Sequence, residues 1–166
     1  MHAAVMAALV ALLVAAALVV RRPLVRQTGW AGRPALLLLL AAALCLGLTL
    51  PDQVVAGAPG RLGDCATGRG TRHLADGPGH QAVNVLLWLP LGLSGALATR
   101  RPFVVAAAAS ATWFAVELVQ TLDPVRMCNP VDWLNNSLGS LAGALIGYAV
   151  LRHRSAGRER HRPSLS

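Results

Sequence analysis

Residues 3–22 read AAVMAALVALLVAAALVVRR, an unbroken apolar run from Ala3 to Val20 that ends on a pair of arginines. At about 1.5 Å rise per residue, such a run comes close to crossing a hydrocarbon core of about 30 Å, so it predicts a transmembrane helix. Four further apolar blocks follow: Pro34–Leu50, Ala82–Thr99, Pro102–Leu122 and Trp133–Leu151. The chain has 166 residues, 55% of them apolar and 13% charged, whereas soluble domains carry about 25% charged residues. Ala, Leu and Val fill the blocks, while Phe, Trp and Tyr together number seven, a composition unlike that of a short-strand β protein. The expected fold is all-α, a polytopic transmembrane bundle of about five spans.

All of the net charge of +8 comes from 15 arginines set against seven Asp and Glu. Nucleic-acid binding would place such charge among aromatics along one face. Here the arginines sit at the ends of apolar blocks, as topology determinants do, and no nucleic-acid partner is expected. Arg21, Arg22, Arg26, Arg33, Arg100 and Arg101 follow blocks one and three, and Arg152, Arg154, Arg158, Arg160 and Arg162 follow block five. Only Arg61, Arg69, Arg72 and Arg126 fall on the other side. By the positive-inside rule the amino end is outside and the tail is cytoplasmic. The first block lacks a positive n-region and reads as an uncleaved span, with cleavage after Ala15–Ala17 as the alternative.

The chain then divides into residues 1–50, two spans with a basic inner loop; 51–80, a Gly- and Pro-rich outer loop; 81–151, a three-span core; and 152–166, a basic polar tail. Cys65 and Cys128 both fall on the outer side, where they form a candidate disulfide or remain free thiols. Cys45, within block two, reads as a small packing residue.

An ionisable side chain in a span costs about 2.5–3.5 kcal/mol on insertion scales, which makes Glu117 conspicuous in block four. Gln120 follows it at i+3, and Ser110, Trp113 and Phe114 precede it at helical spacings. Asn84 lies in the first turn of block three, and Pro90 with Gly92 predicts a kink further along. Asp132 stands at the entry of block five, where it suits an N-cap, and Asn136 follows at i+4. Arg126, in the short connection before it, can pair with Glu117 or Asp132. Alternating spans therefore bring Asn84, Glu117, Gln120, Arg126, Asp132 and Asn136 to one depth near the outer leaflet. They are the candidate ligand-binding residues, with helix-to-helix hydrogen bonding as the plainer role. Gly139, Gly143 and Gly147 form two GxxxG steps that predict close helix packing and a candidate homo-oligomer contact. Trp30 and Trp133 suit the interface, and Trp88 and Trp113 suit packing.

These residues, namely Asn84–Gly92 (NVLLWLPLG), Glu117–Gln120 (ELVQ), Arg126–Gly139 (RMCNPVDWLNNSLG), Gly143 and Gly147, resemble the VanZ-like family of bacterial membrane proteins. The resemblance covers roughly the last 65 residues before the tail, a stretch that begins at Asn84. It implies a small polytopic protein of the bacterial cell membrane, in a family with a member associated with resistance to the glycopeptide teicoplanin. The family usually has acidic residues directly before Asp132 and three before it, where this chain has Val131 and Asn129.

The leading functional expectation is a non-enzymatic protein whose outer cluster binds, or alters access to, a lipid-linked envelope component, with membrane lipids or that precursor as partners. The alternatives are an intramembrane enzyme with Glu117 as general base, the one catalytic candidate, and a proton-coupled transporter. The chain has no HExxH, CxxC, GxSxG or phosphate-binding glycine loop, and His73 and His80 lack companion ligands, so no metal or cofactor is expected. The predicted sidedness is directly measurable: a reporter active only in the cytoplasm should work when fused after Ser166 and stay silent when fused before Met1. The opposite result would move the polar cluster to the inner leaflet.

Overall fold

Residues 2–50, 78–121 and 130–160 are described by a computed structural model. They form five helices: α1 (His2–Thr28), α2 (Gly32–Thr49), α3 (Pro78–Thr99), α4 (Pro102–Gln120) and α5 (Pro130–Arg160). Each is long and apolar enough to cross a membrane, and there is no strand among the described residues. Large apolar side chains face outward along the bundle, among them Leu12, Val19, Leu37, Leu86 and Phe103. In water such a surface would aggregate, whereas in a bilayer it meets lipid chains.

Two helices run past their apolar blocks. α1 continues from Val20 through Arg21, Arg22 and Pro23 to Thr28, and α5 continues from Leu151 through its arginines to Arg160. Arginine and leucine are good helix formers, and the long arginine side chain carries its charge outward beyond the apolar span. α1 stops where Gly29 takes a φ of 69°, a left-handed conformation that glycine adopts without a Cβ clash. The Gly29 amide donates to the Val25 carbonyl at 3.0 Å. α3 stops at Arg100, which takes a φ of 60°, and Pro102 opens α4 in its favoured first-turn position.

Contact pairs fix the direction of each helix. As α3 advances from Trp88 to Gly95, its α4 partner retreats from Trp113 to Val105, so these two are antiparallel. α2 likewise runs against α3, with Cys45 beside Leu87 and Ala31 bonded to Ala98. α3 and α5 advance together, Asn84 with Asp132 and Trp88 with Asn136, and are parallel. This alternation places the ends of α2 and α4 and the starts of α3 and α5 at one end of the bundle. α1 packs mainly on α2, and Ala17 is its one buried residue among those described.

The core lies between α2, α3 and α4: Cys45, Trp88, Leu91, Ala109, Trp113 and Val116. The rings of Trp88 and Trp113 meet with centroids 3.9 Å apart at 42°. The widest helix contact is α3 with α5. A Cβ on Gly92 would run into the Ser140 carbonyl, one on Gly139 into that of Val85, and one on Gly143 into that of Leu89. At Gly147 it would sit 2.7 Å from the Ala96 Cβ. These glycines let two backbones touch. The expectation that Gly139, Gly143 and Gly147 join a second copy is corrected here, because α3 of the same chain already fills that face. Pro90 does not interrupt α3, which runs unbroken to Thr99, and Gly92 serves the contact with α5.

Replacing Gly143 with alanine should lower stability by about 1–3 kcal/mol through overpacking against the Leu89 backbone. Gly157→Ala, where an added Cβ would meet open space, should cost nothing. Reversible unfolding of both variants in detergent micelles checks the difference, and equal stabilities would contradict the α3–α5 contact.

Candidate functional site

The end of the bundle where α3 and α5 begin carries the unusual polar residues. Asn84 Nδ2 donates to Asp132 Oδ1 at 3.1 Å. One turn deeper, the Trp88 indole N–H donates to Asn136 Oδ1. A further turn in, Gly92 lies against the Ser140 backbone. The parallel register thus makes a ladder with one side-chain bond per turn above a backbone contact. Asp132 is the third residue of α5, which starts at Pro130, so it lies in the first turn and is not the N-cap. Its charge there still suits the positive end of the helix dipole.

α4 closes the site from the other side. Ser137 donates to Ser110 at 3.0 Å, the Trp133 indole donates to the Ser110 carbonyl at 3.1 Å, and Phe114 meets Trp133 edge-on at 6.2 Å. The sequence of pairs, Ser110 with Ser137 and then Phe114 with Trp133, continues antiparallel. One turn on, it sets Glu117 level with the first turn of α5, where Asp132 lies. Glu117 is only 5% exposed, on the same buried stripe as Trp113, Val116 and Gln120. Gln120 Nε2 donates to the Thr49 carbonyl at 2.7 Å. That bond satisfies a carbonyl left open at the end of α2 and ties the first pair of helices to the site.

Four of the expected site residues thus share one interhelical cluster or flank it: Asn84, Asp132, Asn136 and Glu117. Gln120 stands at the same end, with its amide nitrogen engaged in holding α2. Arg126, Cys65, Cys128, Asn129 and His73 lie outside the described residues. Val131 is the second residue of α5, beside Asp132, and is half-buried.

Several participants escaped the sequence reading. Trp88 and Trp113 read as packing residues, yet the Trp88 indole holds Asn136. Trp113 Nε1, Asn135 Nδ2 and Ser140 Oγ are buried polar atoms with no hydrogen-bond partner among the described residues. The four-residue step from Asn84 to Trp88, repeated from Asp132 to Asn136, was the available signal. Its meaning required knowing that α3 and α5 are parallel.

The cluster offers carboxylates as acceptors, indole N–H groups as donors, and side-chain amides as both. It suits hydroxyl, amide or ammonium groups on one side and acceptor oxygens on the other. No group of three His, Cys, Asp or Glu among the described residues could hold a metal ion. Comparison with protein-family models, with curated proteins and with solved structures returned no match. What the fold and the site define is a multi-pass helical membrane protein with a polar cluster at one end of its bundle.

A double-mutant cycle tests the ladder. Asn84→Ala and Asp132→Ala should show a coupling of about 0.6 kcal/mol, within a ceiling of about 1.7 kcal/mol. Asn84→Ala with Arg154→Ala should be additive, since these residues occupy opposite ends of the bundle. Thermal unfolding in micelles gives both numbers, and an additive first pair would remove the Asn84–Asp132 bond.

Proposed function

We propose that the chain is a VanZ-like membrane protein of the bacterial envelope. In this reading its polar end binds the headgroup of a lipid-linked envelope component, or alters access to it, and so influences susceptibility to teicoplanin-class glycopeptides. The observation that carries the proposal is the buried Glu117 set level with the Asn84–Asp132 bond, at the end of the bundle remote from the described arginines. Burying an ionisable group costs several kcal/mol, and helix pairing alone returns little of it, so a cluster of this kind marks a functional site by default. Glu117 and Asp132 accept from sugar, amide or ammonium groups, Arg126 meets phosphate, and Asn84 and Asn136 set the register that presents them. The VanZ-like resemblance rests on the motif residues themselves.

A sensitive bacterial host expressing matched amounts of wild type or Glu117→Gln provides the test. Wild type should shift glycopeptide susceptibility, and the variant should not. The purified variant should bind lipid-linked envelope precursor about tenfold or more weakly, the scale of one charge-assisted hydrogen bond. Equal precursor binding by both proteins, together with unchanged susceptibility, would defeat the proposal. Turnover of the precursor that disappears in Glu117→Gln would instead establish the enzyme reading.

A further inference from the structure

The end of the bundle opposite the polar cluster is basic and hollow. The turn between α1 and α2 is tied to the end of α3 by the Ala31 amide, which donates to the Ala98 carbonyl at 3.2 Å. Two cavities of about 480 Å³ each open on either side of this link. One lies between the turns, lined by Thr28, Trp30, Thr99, Arg100 and Arg101 among others. The second lies against α5, and its lining mixes apolar and cationic side chains. Leu97, Tyr148 and Leu151 give it apolar surface, and Arg100, Arg152 and Arg154 give it cations. Among the described residues, no carboxylate lines either cavity.

Arg100 borders both spaces. It closes α3 in the left-handed conformation, at a φ of 60°, where glycine would sit without strain. An arginine here strains the backbone. Outliers of this kind concentrate at ligand sites. The positive-inside rule accounts for the number of arginines at this end. It does not account for an arginine in the left-handed conformation between two cavities. Arg152 packs over the Tyr148 ring, 5.7 Å from its centroid, and donates to the Tyr148 hydroxyl at 3.3 Å. This fixes one guanidinium while leaving most of its N–H groups available.

We infer that this end carries a binding site for an anionic membrane phospholipid. Its phosphate sits among Arg100, Arg152 and Arg154, and its acyl chains run along Leu97, Tyr148 and Leu151. The guanidinium fork suits phosphate oxygens, and a lining that holds Leu97, Tyr148 and Leu151 beside the arginines suits an amphiphile better than a soluble phosphate. The site is independent of the polar cluster at the other end.

The test uses the full chain in neutral detergent, titrated with phosphatidylglycerol or phosphatidylcholine, with bound lipid counted by native mass spectrometry. Phosphatidylglycerol should bind about tenfold or more tightly than phosphatidylcholine. The preference should vanish in the triple variant Arg100→Ala, Arg152→Ala, Arg154→Ala. It should survive in Arg21→Ala, Arg22→Ala, Arg26→Ala, which removes equal charge from outside the site. Arg100→Gly guards against misfolding, because it relieves the strained turn. It should melt no lower than wild type and still lose most of the preference. Full preference in Arg100→Gly, or equal loss in the two triple variants, would show diffuse charge attraction and overturn the site. Displacement of phosphatidylglycerol by millimolar inorganic phosphate would overturn the assignment to a lipid.

Discussion

The parallel contact between α3 and α5 is the constraint on which the rest of the bundle depends. Inside a bilayer, lipid chains are as apolar as leucine, so helices gain little from burying apolar faces against one another. Association must come from close packing and from polar bonds. Gly92, Gly139, Gly143 and Gly147 remove the side chains that would hold the two backbones apart, and the Asn84–Asp132 and Trp88–Asn136 bonds fix the register in which they meet. A slip of one turn would break both bonds and drive Gly92 away from Ser140. Small residues and polar residues therefore act on the same interface, the first setting its distance and the second its alignment.

Around this pair the other helices have graded roles. α4 packs against both, with Trp113 on Trp88 and the Ser110 group on Trp133 and Ser137, and this brings Glu117 to the level of Asp132. α2 joins through Cys45 beside Leu87 and through the carbonyl of Thr49 on Gln120. α1 is peripheral and largely lipid-facing, and its arginines contribute to the basic end. The molecule is thus polarised along its long axis, with buried Glu117 and amides beside half-buried Asp132 at one end and exposed guanidinium groups around cavities at the other.

That polarity was legible in the sequence because direction alternates from span to span. Asn84 and Asp132 lie early in odd-numbered spans, Glu117 and Gln120 lie late in an even-numbered one, and alternation alone puts them at one depth. The GxxxG steps announced close packing but not its partner. Gly139 and Gly143 could equally have met another chain, and only the positions of Val85 and Leu89 show that they do not. The indoles of Trp88 and Trp113 were hidden for a related reason. In a helix apolar on nearly every face, periodicity gives no sign of which side meets a neighbour.

By itself the sequence determined the helical class, the five spans, the charge asymmetry and the depth of Asn84, Glu117, Asp132 and Asn136. Those properties follow from local hydropathy, chain length and the cost of moving charge into hydrocarbon. Tertiary structure decided that α3 and α5 run side by side, that the glycine face is filled from within the chain, that Trp88 holds Asn136, and that Arg100 stands strained between two cavities. Each of these depends on which helix faces meet, which nothing within one apolar segment specifies.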